Sequence, residues 1–431
     1  MISRRLPVSR PFRRIRSLLL LTVVCLSAAS LGADAARKKG KKKPTESIPG
    51  PVVAAGTGLT LTLLPNNRYG AKCLDGSPPG YFFRPGFGSG SSSWHVHLQY
   101  GGWCYTLEKC QERSLTWLGS SNADLQNQNP WKFANWGYMG ILSINPVTNP
   151  RFYNWNLVVP IYCDGGGFAG RAGFKNVSET EGVYLDGWKI IKAVLTDVTD
   201  YKGLKTASQV LLSGVSAGAE AVVTLCDQLP ALVPSAKTTK CLMDSGFFLD
   251  ALDMNKRSAF RKRIQLLAGL HVFVGNPRCS RATNQTKKWK CFFPEHSLPF
   301  VRSPFFVVNS LFDGKALNLG NQLPESNNTF TYQCLSEIMA MPSLRRSIPS
   351  TPPNELAWKN SNKKCTLSAT RAVLAYAQKM WTVVGAMEDK KLKAFLAWSS
   401  KHGIMVDSSW VGMKENGKVL RDVVAEWYFN S

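Results

Sequence analysis

Acidic side chains are scarce in this chain, and histidines scarcer still. Its 431 residues hold 28 Asp or Glu against 53 Lys or Arg, with five His. Any imidazole chemistry must therefore draw on His95, His97, His271, His296 or His402. Long apolar runs are also few. The stretch Leu18 to Leu31 is shorter than the ~20 residues that comfortably span a bilayer, and no other stretch is long enough to cross one, so a multi-spanning helical membrane protein is excluded. No internal repeat is present, which argues against a solenoid or propeller. Nothing in the composition points to disorder or a coiled coil, and a single α/β domain is the simplest expectation.

What is present begins with a leader. Arg4, Arg5, Arg10, Arg13, Arg14 and Arg16 precede the apolar stretch, and the small residues Ala33 and Ala35 follow it. This is the layout of a secretory signal peptide, residues 1–35, with an uncleaved signal anchor as the alternative. Cys25 lies in its apolar part. The ten other cysteines, Cys73, Cys104, Cys110, Cys163, Cys226, Cys241, Cys279, Cys291, Cys334 and Cys365, are an even set in an exported chain, which favours disulfides over metal binding. Sequons at Asn176, Asn284 and Asn327 fit glycosylated surface loops. The formal charge is +25; residues 1–43 carry twelve Lys or Arg against one Asp, which leaves +14 on the remainder. A domain this basic attracts polyanions. Export makes an acidic polysaccharide a better partner than nucleic acid, and no membrane association is expected after the leader is cleaved.

Residues 36–58 form a basic linker rich in Pro and Gly, and the domain is expected over 59–431. Apolar runs bounded by turn residues predict strands at Trp94 to Gln99, Leu157 to Tyr162, Gln209 to Ser213, Phe305 to Asn309 and Ile404 to Val406. Helices are expected over Val183 to Val198, Ala219 to Gln228, Ala369 to Val384 and Lys390 to Lys401. Alternating strands and helices predict a mostly parallel sheet covered on both faces.

The sharpest motif is Gly214-Val-Ser216-Ala-Gly218, a G-x-S-x-G sequence between a strand and a helix. Such a turn exposes the serine hydroxyl, and the helix N-terminus favours negative charge nearby. Glycines also follow an early strand in Gln99-Tyr-Gly-Gly-Trp-Cys104, where the N–H groups of Gly102 and Trp103, with that of Ala217, can form an oxyanion hole. A serine triad needs an acid as well. Asp313, at the end of the strand candidate from Phe305, is preferred over Asp244 and Asp250.

These residues resemble the plant pectin acetylesterase family, and more distantly the Notum-type carboxylesterases. The similarity runs from about Leu59 to Trp427. It rests on Val96-His-Leu-Gln-Tyr-Gly-Gly-Trp-Cys104, Leu211-Leu-Ser-Gly-Val-Ser-Ala-Gly218, Lys240-Cys-Leu-Met-Asp-Ser-Gly246 and Pro304-Phe-Phe-Val-Val-Asn-Ser-Leu-Phe-Asp313. It implies an α/β-hydrolase-like fold with disulfides and no metal or organic cofactor. By resemblance Ser216 is the nucleophile, Asp313 the acid, and Gly102, Trp103 and Ala217 the oxyanion hole.

The family's last block reads roughly Gly-Leu-Phe-Ile-x-Ser-Cys-x-x-His. Aligned with Gly403-Ile-Met-Val-Asp-Ser-Ser-Trp-Val-Gly412, it puts Gly412 at the histidine position and Ser409 at the cysteine. His402 would then precede a strand, about 20 Å from the elbow at ~3.3 Å per residue. His296 has the same defect, and His95 and His97 are expected to be structural. The expected function is a secreted serine carboxylesterase that deacetylates acidic cell-wall polysaccharide. Its alternatives are a polysaccharide-binding pseudoenzyme and a Notum-like protein deacylase.

Overall fold

The computed structural model describes residues 58–128, 139–253, 255–273, 275–319, 328–340, 367–389 and 391–430. The leader, the basic linker, Cys25, Cys365 and the Asn327 sequon lie outside these residues. Eight strands form the central sheet: β1 (Thr60–Leu63), β2 (Gly80–Arg84), β3 (Ser93–Leu98), β4 (Asn156–Pro160), β5 (Gln209–Val215), β6 (Thr238–Asp244), β7 (Phe305–Ser310) and β8 (Leu392–Ala397). Their order is β1-β2-β4-β3-β5-β6-β7-β8. The pairs β1/β2 and β2/β4 are antiparallel, and every other pair is parallel.

The central strands are covered by helices on both faces, so they read as continuous apolar runs. All six residues of β3 and of β7 are buried. This is the α/β-hydrolase-like sheet that the alternation predicts. Four disulfides brace it, pairing Cys73 with Cys163, Cys104 with Cys110, Cys226 with Cys241 and Cys279 with Cys291. Cys334 is disulfide-bonded as well.

Three expected elements differ. Residues Lys390 to Lys401, read as a helix, contain β8. Leu392 and Phe395 mimic a helical spacing, but β8 pairs on one side only, so its burial alternates incompletely and the helical pattern is accidental. Ile404 to Val406 is not a strand but a buried turn after β8. The helix expected from Val183 starts only at Gly187, because Gly182–Leu185 pairs with Gly173–Asn176 in a small hairpin.

The helix after β5, Ala217–Leu225, is buried at all nine positions. A helix pressed into the sheet needs apolar residues on most sides, and only Glu220 and Thr224 here are polar. It sits so close that a Cβ on Gly218 would lie 2.3 Å from the Leu98 carbonyl oxygen, and one on Gly214 would lie 2.5 Å from the Gly218 oxygen. Both clash partners are backbone, which cannot turn aside. Gly218→Ala is therefore expected to cost about 1–3 kcal/mol of stability, as overpacking does, measured by denaturant unfolding. An unchanged midpoint would show that the helix can shift.

Candidate active site

Ser216 stands where β5 gives way to the buried helix, with φ 55° and ψ −121°. Such a conformation is strained for a residue with a side chain and persists only where the surroundings fix it. Here the Ser216 N–H donates to the Asp244 carbonyl at 2.9 Å, and its carbonyl accepts from Ala219 N–H at 2.9 Å. The Ser216 hydroxyl makes no hydrogen bond among the described residues, so no structural partner retains it. It lines a cavity of about 660 Å³ together with Gly102, Trp103, Lys315, Lys401 and His402.

Asp313 follows β7 and is fully buried. Its carboxylate accepts the N–H groups of Lys315 at 2.9 Å and Ala316 at 3.1 Å, capping the helix Gly314–Leu319. It also holds Nδ1 of His402, at 2.7 Å from Oδ2 and 3.0 Å from Oδ1. The acid expected from the sequence thus meets an imidazole, and that imidazole lines the cleft that Ser216 lines.

This corrects the expectation that His402 is remote from the elbow: its imidazole lines the cleft. β8 ends at Ala397, so His402 follows the strand's carboxyl end instead of preceding a strand. The ladder with β7 continues past both strands, with Leu311 N–H to Ala397 O at 2.9 Å, Phe312 N–H to Ser399 O at 3.1 Å and Gly314 N–H to Ser400 O at 3.1 Å. These bonds bring residue 402 beside residue 313.

A signal for this was available in the sequence. Lys393-Ala-Phe395-Leu-Ala-Trp-Ser399-Ser-Lys-His402 keeps the Phe and His of the family's last block at their spacing, with Ser399 at the cysteine position. Gly412 ends the short helix Ser409–Gly412 and is not among the residues lining the cleft.

The His402 turn is clasped from below. Met405 N–H donates to Asp244 Oδ2 at 2.7 Å, Gly403 N–H to Ser245 Oγ at 2.8 Å, and Ser245 Oγ to Asp244 Oδ1 at 2.7 Å. Asp244 is therefore an anchor for the turn, and Asp250 pairs with Arg261 at 2.8 Å. Burial pushes the Asp244 carboxyl up to about 6, against the pull of Met405 N–H and Ser245. Burial alone would depress the His402 ring; the charge and hydrogen bond of Asp313, with the charge of Asp244 behind them, outweigh it and hold the ring above its ordinary 6.5.

The glycine loop faces the same cavity. Arg113 donates to the Gly101 carbonyl at 2.8 Å, and the Tyr162 hydroxyl donates to the Gly102 carbonyl at 2.6 Å. In a trans peptide the N–H points opposite to its carbonyl, so these two anchors turn the Gly102 and Trp103 N–H groups the other way. Gly102 reaches this geometry at φ 64°, which favours glycine. Among the described residues neither these N–H groups nor that of Ala217, the first of the buried helix, has an acceptor. Ala217 itself is fully buried behind the serine.

The remaining histidines lie elsewhere. His95 Nε2 and His97 Nδ1 each meet Ser213 Oγ at 2.7 Å inside the sheet, as the structural expectation had it. His271 bonds the Cys104 carbonyl at 3.0 Å, and burial drives it down to about 4. Cys104, Cys110 and His271 cluster as metal ligands would, but the two cysteines are joined as a disulfide. Asn176 and Asn284 are exposed.

Comparison with known proteins agrees with these features. The sequence model of the pectinacetylesterase family matches residues 53–431. Pectin acetylesterase 7 of Arabidopsis thaliana is 38% identical over 266 residues, which is 61% of this chain and 64% of that protein. Pectin acetylesterase 5 of the same plant is 31% identical over 382 residues, 86% of this chain and 80% of that protein. The palmitoleoyl-protein carboxylesterase NOTUM of Mus musculus is 31% identical over 279 residues, spanning 61% of this chain and 52% of that protein. With its sheet, its elbow and nearly all of its described length accounted for in this way, the chain belongs to the pectinacetylesterase family.

Proposed function

We propose that the protein is a secreted carboxylic ester hydrolase that removes acetyl groups from acidic cell-wall polysaccharide, with Ser216 as nucleophile. The observation that carries this reading is the Asp313–His402 pair, facing the same cleft as an unengaged serine hydroxyl. Asp313 holds the proton on Nδ1, so Nε2 is the basic nitrogen. It takes the Ser216 proton as Oγ bonds to the acetyl carbon, and the N–H groups of Gly102, Trp103 and Ala217 receive the oxyanion. The imidazolium then protonates the sugar oxygen as its bond to the acetyl carbon breaks. Water, deprotonated by the same nitrogen, releases acetate from the acyl-serine and restores the hydroxyl.

Lys315 and Lys401 at the cleft suit a uronic acid substrate, and Lys401 is already tied to Asp407 at 3.2 Å. The family relatives named for pectin deacetylation support the same substrate. Four disulfides and the leader pattern support export, and no helix among the described residues is long and apolar enough to cross a membrane. The apolar part of the cleft, with Trp117, Leu118, Met139, Leu142 and Leu319, supports a second reading, hydrolysis of longer acyl esters.

Purified protein is expected to release acetate from acetylated pectin and to hydrolyse a small aryl acetate. Ser216→Ala should abolish both, and His402→Ala should lower kcat by about 10⁴-fold or more. Gly412→His should change neither. No release above the Ser216→Ala level would end the hydrolase reading in favour of a lapsed, binding member. A kcat/KM that climbs steadily from acetyl to octanoyl esters would replace deacetylation with the second reading.

The pH profile gives a further check. The base must be neutral and its pKa is raised, so kcat/KM should fall on the acid side with an apparent pKa above 6.5. Asp244→Asn removes a negative charge that raises the ring, so it should move this limb to lower pH. Lys315→Glu removes a positive charge that lowers the ring and should move the limb to higher pH. A limb below 6.5 in the unaltered protein would mean that a different group is the base.

A further inference from the structure

The net charge is distributed unevenly. Residues 255–302 hold eleven Lys or Arg and one carboxylate, Glu295, and so carry +10 of the +14 left outside residues 1–43. Eight of the eleven stand on three elements that the fold brings together. The 3₁₀ segment Gln285–Phe292 packs against both helix Ala259–His271 and helix Pro277–Ala282, and Cys279–Cys291 ties it to the second. Cations from separate elements converge there, with the Arg261 guanidinium and the Lys290 ammonium each 5.9 Å from the Trp289 ring centre.

Only part of this charge is neutralised. Arg257 pairs with Asp253, Arg261 with Asp250 and Arg278 with Asp227, while Glu295 is taken by Lys379. Lys262, Arg281 and Lys287 are exposed, and among the described residues none has a carboxylate partner. The face adjoins the cleft, since Arg263 donates to the carbonyl of Leu319, a cleft-lining residue, at 3.2 Å.

We infer that this face is a second binding surface, outside the cleft, for a linear polycarboxylate such as an unesterified polyuronide. Like cations crowded on one face without carboxylates repel each other, and a polyanion relieves that repulsion. A polymer crossing the cleft can continue onto the face, which would hold the protein on stretches it has already deacetylated. The choice of a carboxylate polymer rests on the reading of the cleft given above; the charge itself does not.

The test is affinity electrophoresis of the full chain through gels containing polygalacturonate. Ser216→Ala keeps the polymer unmodified, and the run is repeated after glycosidase treatment, because Asn284 lies on this face. The chain should be retarded, and the retardation should fade as salt shortens the Debye length to about 8 Å and below. A Lys262→Glu, Arg281→Glu, Lys287→Glu variant, made with Ser216 intact and also in the Ser216→Ala background, should bind about tenfold more weakly or worse. With Ser216 intact it should turn over aryl acetate at the unaltered rate, which also shows that it folds. Equal retardation of variant and parent would overturn the inference, as would retention by anionic vesicles or heparin but not by polygalacturonate. If aryl acetate is not hydrolysed at all yet the charge reversal abolishes retardation, the hydrolase reading falls and this surface stands.

Discussion

A buried carboxylate without partners is among the costliest groups a fold can contain, and Asp313 shows how this chain meets that constraint. With no exposure, it is held by two backbone N–H groups at the start of the helix after β7 and by the His402 ring. Those three partners come from both sides of the β7/β8 pair, so the carboxylate fixes the end of one strand against the turn that leaves the other. The turn has little choice of position. Asp244 and Ser245, at the end of β6, hold its backbone from beneath, which makes the ends of three adjacent strands a single hydrogen-bonded unit around the imidazole.

The opposite wall of the cleft is stiff for a different reason. The glycine loop has no side chains to pack at Gly101 and Gly102, so its peptide planes are set by what grips their carbonyls. Arg113 and Tyr162 do so, and they also contact each other, the guanidinium lying 5.0 Å from the Tyr162 ring centre. The Cys104–Cys110 disulfide joins the end of the loop to the helix Leu107–Ser114 that carries Arg113. Trp103 packs edge-on against Phe248 at 5.3 Å and Phe292 at 5.2 Å. The 3₁₀ segment that presents Lys287 and Lys290 to solvent thus backs the glycine loop with its inner side.

Much of this could be read from the chain because its signals are local. The elbow lies within five residues, the glycine loop within six, and β5 and β7 are continuous apolar runs that a strand buried on both faces requires. Asp313 was legible because it directly follows such a run. The position of His402 was harder to find. β8 is an edge strand whose Leu392 and Phe395 fall at a helical spacing, so its true end was hidden, and the apolar turn Ile404 to Val406 offered a false strand. His402 follows β8, which ends at Ala397, and so stands ahead of the turn that reads as a strand. The roles of Asp244, Arg113 and Tyr162 depend on contacts between segments far apart in sequence, which no spacing reveals.

The scarcity of acids acquires a meaning once burial is known. Among the described residues the acids Asp164, Asp186, Asp197, Glu220, Asp244, Asp253 and Asp313 are buried, against the bases Arg84 and Lys240. Of those acids, burial raises Asp164 and Asp244 to about 6 and pushes Glu220 well above its ordinary value. The interior therefore takes up carboxylates from a chain that has few, as caps and clasps, and the surface is left more basic than the composition alone implies. A wall facing an anionic polymer tolerates that excess, whereas a neutral surrounding would leave its self-repulsion uncompensated. The same shortage that makes each buried acid a fixed point of the interior leaves the exterior strongly basic.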